Sequence, residues 1–364
     1  MTTVAPGFTD VQYLFSKYVT EVGWNLINDA ISQTAAIHAA ALDEMLRALA
    51  DPIDPLKPQF KFRLPVTVEM QELEGEDDSP VPVRGFDEYE LAFPLADVGL
   101  AWATNRKSRA KMTVQEANDF TVNVMQADSR WQRRRMFMAI FNNKSRSFAD
   151  PEWGTLKVKP LANGDSDKYH LKTGGDPATD NHYLAQAGAI DATNYPFDGF
   201  NDEIVEHPDN RGEVIVYVAK NLASNIRALP DFIPYVENSR IRVGSGTDVL
   251  SDFPDVAFGD RRLGYVEDGD CYIVRWDALP SGYMIAMPNG NTKKPLGWRD
   301  EPQAALQGLR PEYATFDGNH QVNRMLRTRD FAAQNRTAMV VMQVGNATYQ
   351  VPAAYAMRQA DADA

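Results

Sequence analysis

Cysteine is nearly absent from this chain, which contains a single one, Cys271, among 364 residues. One cysteine cannot form a disulfide within the chain, and it cannot supply the several thiolates of a cysteine-based zinc site. Cys271 lies in the apolar run CYIVRW, which is typical of a strand. We therefore interpret it as a small buried hydrophobic residue rather than a reactive thiol.

Long apolar runs and an excess of basic residues are also absent. No stretch approaches the roughly 18 apolar residues that indicate a membrane span. The N-terminal MTTVAPGFTDV lacks the basic and apolar regions of a signal peptide, which predicts a product made in the cytoplasm without a membrane partner. The net charge of −13 argues against general nucleic-acid binding by the outer surface, although it leaves room for a local basic face.

Catalytic and ligand-binding motifs are missing as well. Gly244-Ser245-Gly246 is not a nucleophile elbow, because the glycines directly flank the serine, and no phosphate-binding glycine loop opens a helix. Asp180 and His182 could lie close together, but we interpret them as an exposed loop pair rather than as ligands. The histidines lack metal-binding spacings: His38, His170, His182, His207 and His320. The sequence therefore predicts no catalytic residue, no metal and no cofactor.

The longest helical pattern runs over residues 113–142. Thr113 and Glu116 have the spacing of a capping box, in which each side chain bonds a backbone N–H of the other residue. Residues 136–141 are apolar almost all round, which predicts burial on more than one side. A stripe with alternating steps of three and four residues predicts the buried face: Ala117, Phe120, Val124, Ala127, Trp131, Arg134, Met138 and Phe141.

The N-terminal third divides into two segments. Helical periodicity from about Asp10 to residue 50, followed by a proline-rich stop, predicts a helical arm over residues 1–56 that packs against another molecule. Residues 59–70 and 87–95 alternate apolar and polar side chains and predict the two strands of a long excursion, which spans residues 57–112. An isolated hairpin is marginal in water, so we expect this one to rest on a neighbouring molecule; a mobile surface loop is the alternative.

Opposite charges flank this excursion. We expect them to pair within one chain or between chains and to fix the register of the contact. The acidic tip comprises Glu72, Glu74, Glu76, Asp77 and Asp78. The basic segment that follows comprises Arg106, Lys107, Arg109 and Lys111.

The remaining sequence alternates strands, turns and short helices. Residues 182–192 and 197–209 are predicted to be helical, and residues 212–232 to form a strand, a turn and a helix. The apolar run Val214–Val218 is typical of a strand buried on both faces. Three short strands follow within 261–290, a loop is predicted over 293–312, and long strands with turns at 334–335 and 345–346 close the chain.

One basic run, on the long helix, is a candidate contact for a polyanion: Arg130, Arg133, Arg134 and Arg135. Successive helical residues point about 100° apart, so three consecutive arginines cannot share one face. At most one or two could meet a phosphate backbone, and we expect Arg134 to be paired or to extend past its neighbours. Ion pairs within the core or between subunits are at least as strongly favoured.

The order of these parts resembles the major capsid proteins of tailed phages, which have the Hong Kong-97-like capsid fold. The passages that carry the resemblance are GEVIVYVAKNLASNIRAL, YIVRWDALPSGYMIAMP and MLRTRDFAAQNRTAMVVMQVGNATYQVP. It implies an α+β fold with an N-terminal arm (1–56), an E-loop (57–112) and a peripheral domain (113–181) whose spine helix is 113–142. An axial α/β domain (182–318) and C-terminal strands that return to the peripheral domain (319–364) complete it.

Two departures from the type member of that family change the expectation. That protein links an E-loop lysine covalently to a neighbour, whereas here Lys57 and Lys61 lie at the base of the excursion and the tip is acidic. We therefore expect no covalent cross-linking. Only about fifty residues precede the excursion, in place of a long cleaved scaffolding region, so we expect no cleavage and a separately supplied scaffold.

The resemblance implies a non-enzymatic structural protein of the virion. Many copies would form pentamers and hexamers of an icosahedral shell around double-stranded DNA, which would be held by non-specific contacts. Scaffolding, portal and decoration proteins would be further partners. Two alternatives stay open: an encapsulin-like compartment that packages enzymes, and a soluble α+β hydrolase that uses paired carboxylates.

Overall fold

The computed structural model describes residues 15–64, 87–173, 177–236, 253–254, 259–316 and 320–357. Two sheets and one long helix organise this part of the chain. None of the described helices is long and apolar enough to cross a bilayer.

The helices of the N-terminal region begin with α1 (Val19–Val22) and α2 (Trp24–Leu46), and α3 (Arg106–Lys111) leads into the long α4 (Val114–Phe141). Thr113 Oγ1 accepts a hydrogen bond from the Glu116 N–H at 3.2 Å, and the Thr113 N–H donates to Glu116 Oε2 at 3.0 Å. The predicted capping box and the predicted helix are therefore confirmed.

A five-stranded sheet packs against α4. Its strands are β1 (Ala50–Pro52), β4 (Asp97–Asn105), β13 (Leu296–Asp300), β14 (Arg310–Phe316) and the long β15 (His320–Ala333). The first half of β15 pairs with β4 and β14, and its last residues pair with β13, which pairs in parallel with β1. The stretch 293–312, which we expected to be a loop, therefore contains β13 and the start of β14.

The strands of the seven-stranded sheet are, in chain order, β7 (Tyr183–Gln186), β8 (Val214–Val218), β9 (Phe232–Pro234), β10 (Arg261–Val266), β11 (Cys271–Arg275), β12 (Tyr283–Pro288) and β16 (Val340–Val344). The sheet is mixed, and its strand order is β7-β16-β12-β8-β11-β10-β9. Two short helices, α5 (Phe197–Val205) and α6 (Ala223–Arg227), accompany it. The predicted helix over 182–192 is wrong, since this segment begins with β7, which pairs in parallel with β16.

Strand β8 is buried on both faces, as its continuous apolar run predicts. Ile215 and Tyr217 belong to the core that also contains the end of α4, whereas Val214, Val216 and Val218 belong to the core beneath α5 and α6. The C-terminal turns of α4 lie in the first of these cores: Met136, Phe137, Ile140 and Phe141 are all buried. The expectation of burial on more than one side of residues 136–141 is thus confirmed.

Two hairpins complete the described fold. Strands β2 (Gln59–Leu64) and β3 (Asp87–Ala92) pair in antiparallel register, which confirms two strands at the base of the excursion. Strands β5 (Arg146–Asp150) and β6 (Gly154–Val158) form the second hairpin. β13 lies in the five-stranded sheet, although the predicted axial domain (182–318) included it. β16 lies in the seven-stranded sheet, although the predicted C-terminal strands that return to the peripheral domain (319–364) included it. Those ranges stay predictions.

The close approach of β9 to β10 explains why residue 264 is glycine. The pairing of β10 with β11 shifts between Arg262 and Gly264, and a Cβ at Gly264 would lie 2.2 Å from the Ile233 carbonyl oxygen. We expect Gly264→Ala to lower the free energy of unfolding by about 1–3 kcal/mol, because the adjacent backbone must move. Gly199→Ala, in α5 where nothing lies within 4 Å, should instead stabilise by up to about 1 kcal/mol. Chemical denaturation of both variants tests this, and equal effects would contradict it.

Cys271 is fully buried at the start of β11, which confirms its interpretation as a small core residue. Burial raises the pKa of its thiol, so little reactive thiolate is present. We expect iodoacetamide at mildly alkaline pH to leave the folded protein unmodified and to add to this thiol after unfolding in guanidinium. Mass spectrometry measures the adduct, and rapid labelling of the folded chain would contradict the placement.

Candidate assembly surfaces and the polar seam of the long helix

The buried face of α4 is rotated relative to the predicted stripe. Phe120 is 39% exposed, although the stripe placed it inside, whereas Thr121, Asp128 and Gln132 are buried. The physical reason is that the long strand β15 presents charged side chains to this face of the helix. Asp128, Gln132 and Arg135 follow one another at steps of four and three residues and meet that strand over successive turns.

We call the row of polar contacts that Asp128, Gln132 and Arg135 of α4 make with β15 the polar seam. Asp128 forms its first contact. Its carboxylate accepts two hydrogen bonds from Arg327, from Nε at 2.7 Å and from Nη2 at 3.0 Å. Both side chains are almost completely buried, and His38 of α2 lies 3.2 Å from the same carboxylate. Burial lowers the pKa of Arg327, although the charge of Asp128 opposes that shift. Because the charge of Arg327 is removed from water, its burial would be strongly unfavourable without the charge of Asp128.

Arg329 of β15 and Arg135 of α4 form the next two contacts of the polar seam, through ion pairs and charge-assisted hydrogen bonds. Arg329 donates to Asp300 at 2.6 and 2.8 Å and to Gln132 Oε1 at 3.2 Å, and it also pairs with Asp43 of α2. Arg135 binds Asp330, which accepts a further bond from Arg146 at 2.9 Å. The seam therefore ties α2, α4, β13 and β15 together.

The four arginines of the candidate basic run on α4 have different surroundings in the structure. Arg135 is taken up by the seam, so it is not available to a polyanion in the described structure. Arg134 is half-buried, and its Nε has no hydrogen-bond partner. Arg130 and Arg133 are exposed and border a cavity of about 410 Å³ that α2 residues and Trp276 also line. A role for either of them in binding DNA stays a prediction.

The predicted charge pairing at the excursion is only partly within the described residues. The acidic tip, Glu72, Glu74, Glu76, Asp77 and Asp78, lies outside them. Of the basic segment, Lys107 and Lys111 are exposed on α3, and the side chains of Arg106 and Arg109 lie outside the described part. At the base of the hairpin Lys61 lies 2.7 Å from Glu90, and its hydrogen bond lowers the pKa of that carboxyl.

The N-terminal arm contributes both to the core of its own chain and to an exposed apolar face. Leu42, Leu46 and Leu49 are buried against the end of α4, so this part of the arm packs within the chain rather than outside it. Leu26 and Ile37 are 62% and 71% exposed, and they point away from the buried side of α2. Beside Leu26, α2 and α4 also border a mainly apolar groove of about 320 Å³.

A group of titratable side chains near β7 was not anticipated as a unit. His182 and His207 are buried, and both Nε2 atoms approach Asp180. The interpretation of Asp180 and His182 as an exposed loop pair is wrong, because pairing of the next residues with β16 places His182 inside. Burial alone would raise the pKa of Asp180, but its contacts with the two histidines lower it. The sequence held no signal that joins His207 to this pair.

The overall arrangement is that of phage structures. The chain is similar to a structure from Mycobacterium phage Patience, with a TM-score of 0.69, 19% identity, and coverage of 97% of this chain and 98% of the other. It is also similar to a chain from the asymmetric unit of the bacteriophage PhiM1 mature capsid, with a TM-score of 0.51, 10% identity, and coverage of 83% and 87%. No family model and no curated protein matches the sequence.

These similarities establish the fold. The described residues have an α+β fold of the kind found in phage capsids. The α+β capsid fold implied by the sequence resemblance is therefore confirmed.

Proposed function

We propose that this chain is the major shell-forming subunit of a tailed-phage capsid and that its place is the virion. In this proposal many copies form pentamers and hexamers, which close into an icosahedral shell around double-stranded DNA. The observation that carries the proposal is a shared fold over 97% of the chain with a phage structure. A scaffold, a portal and decoration proteins would be separate partners.

The surface of the described chain supports association with further copies. Leu26, Ile37, Met45 and Leu56 of the N-terminal region are each more than half exposed. Scattered exposed apolar residues are ordinary, but Leu26 and Ile37 share one helix face, and Leu26 also lines the apolar groove beside α4. Burial of this face against a neighbouring copy would remove apolar area from water and stabilise the assembly.

The β2–β3 hairpin is the second candidate contact between copies. A two-stranded hairpin is marginal in water without a supporting surface. In the proposed shell it lies over an adjacent subunit, and its acidic tip meets the basic segment 106–111 of that copy. Lys57 and Lys61 pair with Asp54 and Glu90 within the chain, and the shell needs no covalent link through them.

Contacts with DNA in this proposal are few and non-specific. Arg130 and Arg133 are the exposed members of the basic run on α4. The net charge of −13 means that packaging cannot rely on a generally basic subunit. Neutralisation of phosphates by a small number of arginines releases few counterions and gives a shallow dependence on salt.

The proposed role is structural rather than enzymatic. Asp128, Asp300 and Asp330 are each bonded to an arginine in the polar seam. Such engaged carboxylates stabilise the packing of helix on sheet and are not free to transfer a proton to a substrate. The arrangement gives no support to the alternative of a carboxylate-dependent hydrolase.

Sedimentation velocity and negative-stain electron microscopy of the purified full chain test this function. With its scaffold if required, the protein should form closed particles or discrete rings of five or six copies. Extraction of the particles should recover double-stranded DNA when they are isolated from infected cells. A chain that stays monomeric with and without a scaffold would overturn the proposal, and particles that hold enzymes in place of DNA would favour the encapsulin-like alternative.

A further inference from the structure

Three side chains outside the polar seam converge at the end of α5. His207 directly follows the C-cap residue of that helix, His182 directly precedes β7, and Asp180 lies in the loop before it. Their ligand atoms all lie within 4.8 Å of one another. His182 is 0% exposed and His207 is 2% exposed, so neither histidine is a solvated surface residue.

The hydrogen bonds of the two imidazole rings fix which nitrogen faces the group. His182 Nδ1 lies 2.9 Å from the Met339 carbonyl oxygen, and His207 Nδ1 lies 3.0 Å from the His170 carbonyl oxygen. A carbonyl oxygen can only accept, so Nδ1 carries a proton in both rings. In the neutral imidazole, Nε2 is then an unprotonated acceptor with its lone pair directed at Asp180.

His207 Nε2 and Asp180 lie within hydrogen-bonding distance, so while both rings are neutral two imidazole acceptors face one carboxylate with no proton between them. The two Nε2 atoms approach the same Asp180 oxygen, Oδ2, at 2.5 Å for His182 and 2.9 Å for His207. The His182 contact lacks the direction of a hydrogen bond, and Nε2 is a buried polar atom without a hydrogen-bond partner. Converging acceptors repel one another unless a metal cation or a proton lies among them.

Two further carboxylates lie beside this group on α5 and its C-cap. Glu203 and Glu206 are one helical turn apart and, together with Asp180, form a second set of oxygen atoms within 4.8 Å of one another. Glu206 Oε1 is 3.6 Å from His207 Nε2. Three carboxylates therefore crowd beside two buried imidazoles.

We propose that Asp180, His182 and His207, with Glu206 as the fourth ligand, bind one divalent transition-metal ion, preferentially Zn²⁺. Two neutral imidazoles and two carboxylates supply four N and O ligands, a set that suits tetrahedral zinc, and the two carboxylate charges neutralise the dication. Histidines that bind a metal through Nε2 characteristically donate the Nδ1 proton to a carbonyl or a carboxylate, as both rings do here.

The ion would connect segments that are distant in sequence. Its ligands come from the loop before β7 and from the end of α5, and the carbonyls that orient the rings belong to the loop at His170 and to Met339, next to β16. Bound in this way, the metal would fasten α5 to the β7–β16 edge of the seven-stranded sheet. Asp180 and Glu206 are partly exposed and provide the path from solvent.

Metal content and thermal unfolding of the full chain test this site. Protein purified without added metal should contain about one zinc per chain by plasma mass spectrometry. Chelator treatment should lower the unfolding midpoint, and Zn²⁺ should restore it. His207→Gln should lose both the zinc and the Zn²⁺-dependent shift, whereas the matched variant His38→Gln should retain both.

The result that overturns the proposal is a chain without metal whose unfolding midpoint does not change with Zn²⁺. Equal zinc content in His207→Gln and the unaltered chain would overturn it too, since the metal would then be elsewhere. If His207→Gln does not fold, titration of the chelated, unaltered chain with Co²⁺ replaces it. Tetrahedral coordination produces intense visible absorption, and its absence would show that protons rather than a metal hold this group together.

Discussion

Asp128→Ala is expected to lower the free energy of unfolding by about 3–5 kcal/mol, because it leaves the Arg327 charge buried and unpaired. Arg327 has a fully buried side chain, and Asp128 supplies both of its charge-assisted hydrogen bonds. His38 and Gln132 also lose a partner in this variant. Urea or thermal denaturation followed by circular dichroism measures the change.

Two further variants show whether burial of the charge is responsible. Glu312→Ala removes the carboxylate that pairs with Arg324 at 2.7 Å on the same sheet, where both side chains are more than 40% exposed. Its expected cost is only about 0–1 kcal/mol. Replacement of Asp128 and Arg327 together by leucine should cost less than Asp128→Ala alone. Equal losses for Asp128→Ala and Glu312→Ala would contradict the account of the seam.

The second large effect is expected on assembly rather than on stability. Leu26→Asp combined with Ile37→Asp places two charges on the exposed apolar face of α2. Burial of those charges against a neighbouring copy carries a cost of several kcal/mol per contact, repeated at every interface of a shell. We expect loss of particles by sedimentation velocity, with the circular dichroism spectrum of the single chain unchanged.

Apolar substitutions at the same positions provide the matched control. Leu26→Met and Ile37→Leu change the shape of this face only slightly and keep it apolar, so particles should still form. Particles of normal size and yield from the Asp variant would show that this face of α2 is not an interface.

The elements set by local rules are those that could be predicted from the sequence. The long helix begins at a capping box because Thr113 and Glu116 satisfy each other's backbone groups, whatever the rest of the chain does. The strand β8 follows from five consecutive apolar residues that two cores bury. Each of these two signals is contained in a few neighbouring residues of the sequence.

The elements that were missed depend on partners far away in the chain. Tyr183 begins a strand because it pairs with Val341, and Leu296 because it pairs with Ala333 and Ala50. None of these three partners can be identified from a window of ten residues. The helix-like periodicity of 182–192 and the loop-like sequence of 293–312 therefore led to the wrong element.

The polar face of α4 was missed for the same reason. Asp128 is separated from Arg327 by 199 residues, and a buried carboxylate on a helix has no apolar signal of its own. The two arginines of β15, two residues apart, point to the same side of the strand, and only the fold shows that this side faces α4. The group of Asp180, His182 and His207 likewise exists only once α5 and β7 are adjacent.

Electron cryo-microscopy of the purified particles tests the central claim most directly. The account predicts a closed shell of rings of five and six copies, in which a neighbouring copy covers Leu26 and Ile37 and the β2–β3 hairpin lies on an adjacent subunit. A shell in which both surfaces face solvent, or a preparation that contains only single 40.7 kDa chains, would contradict it.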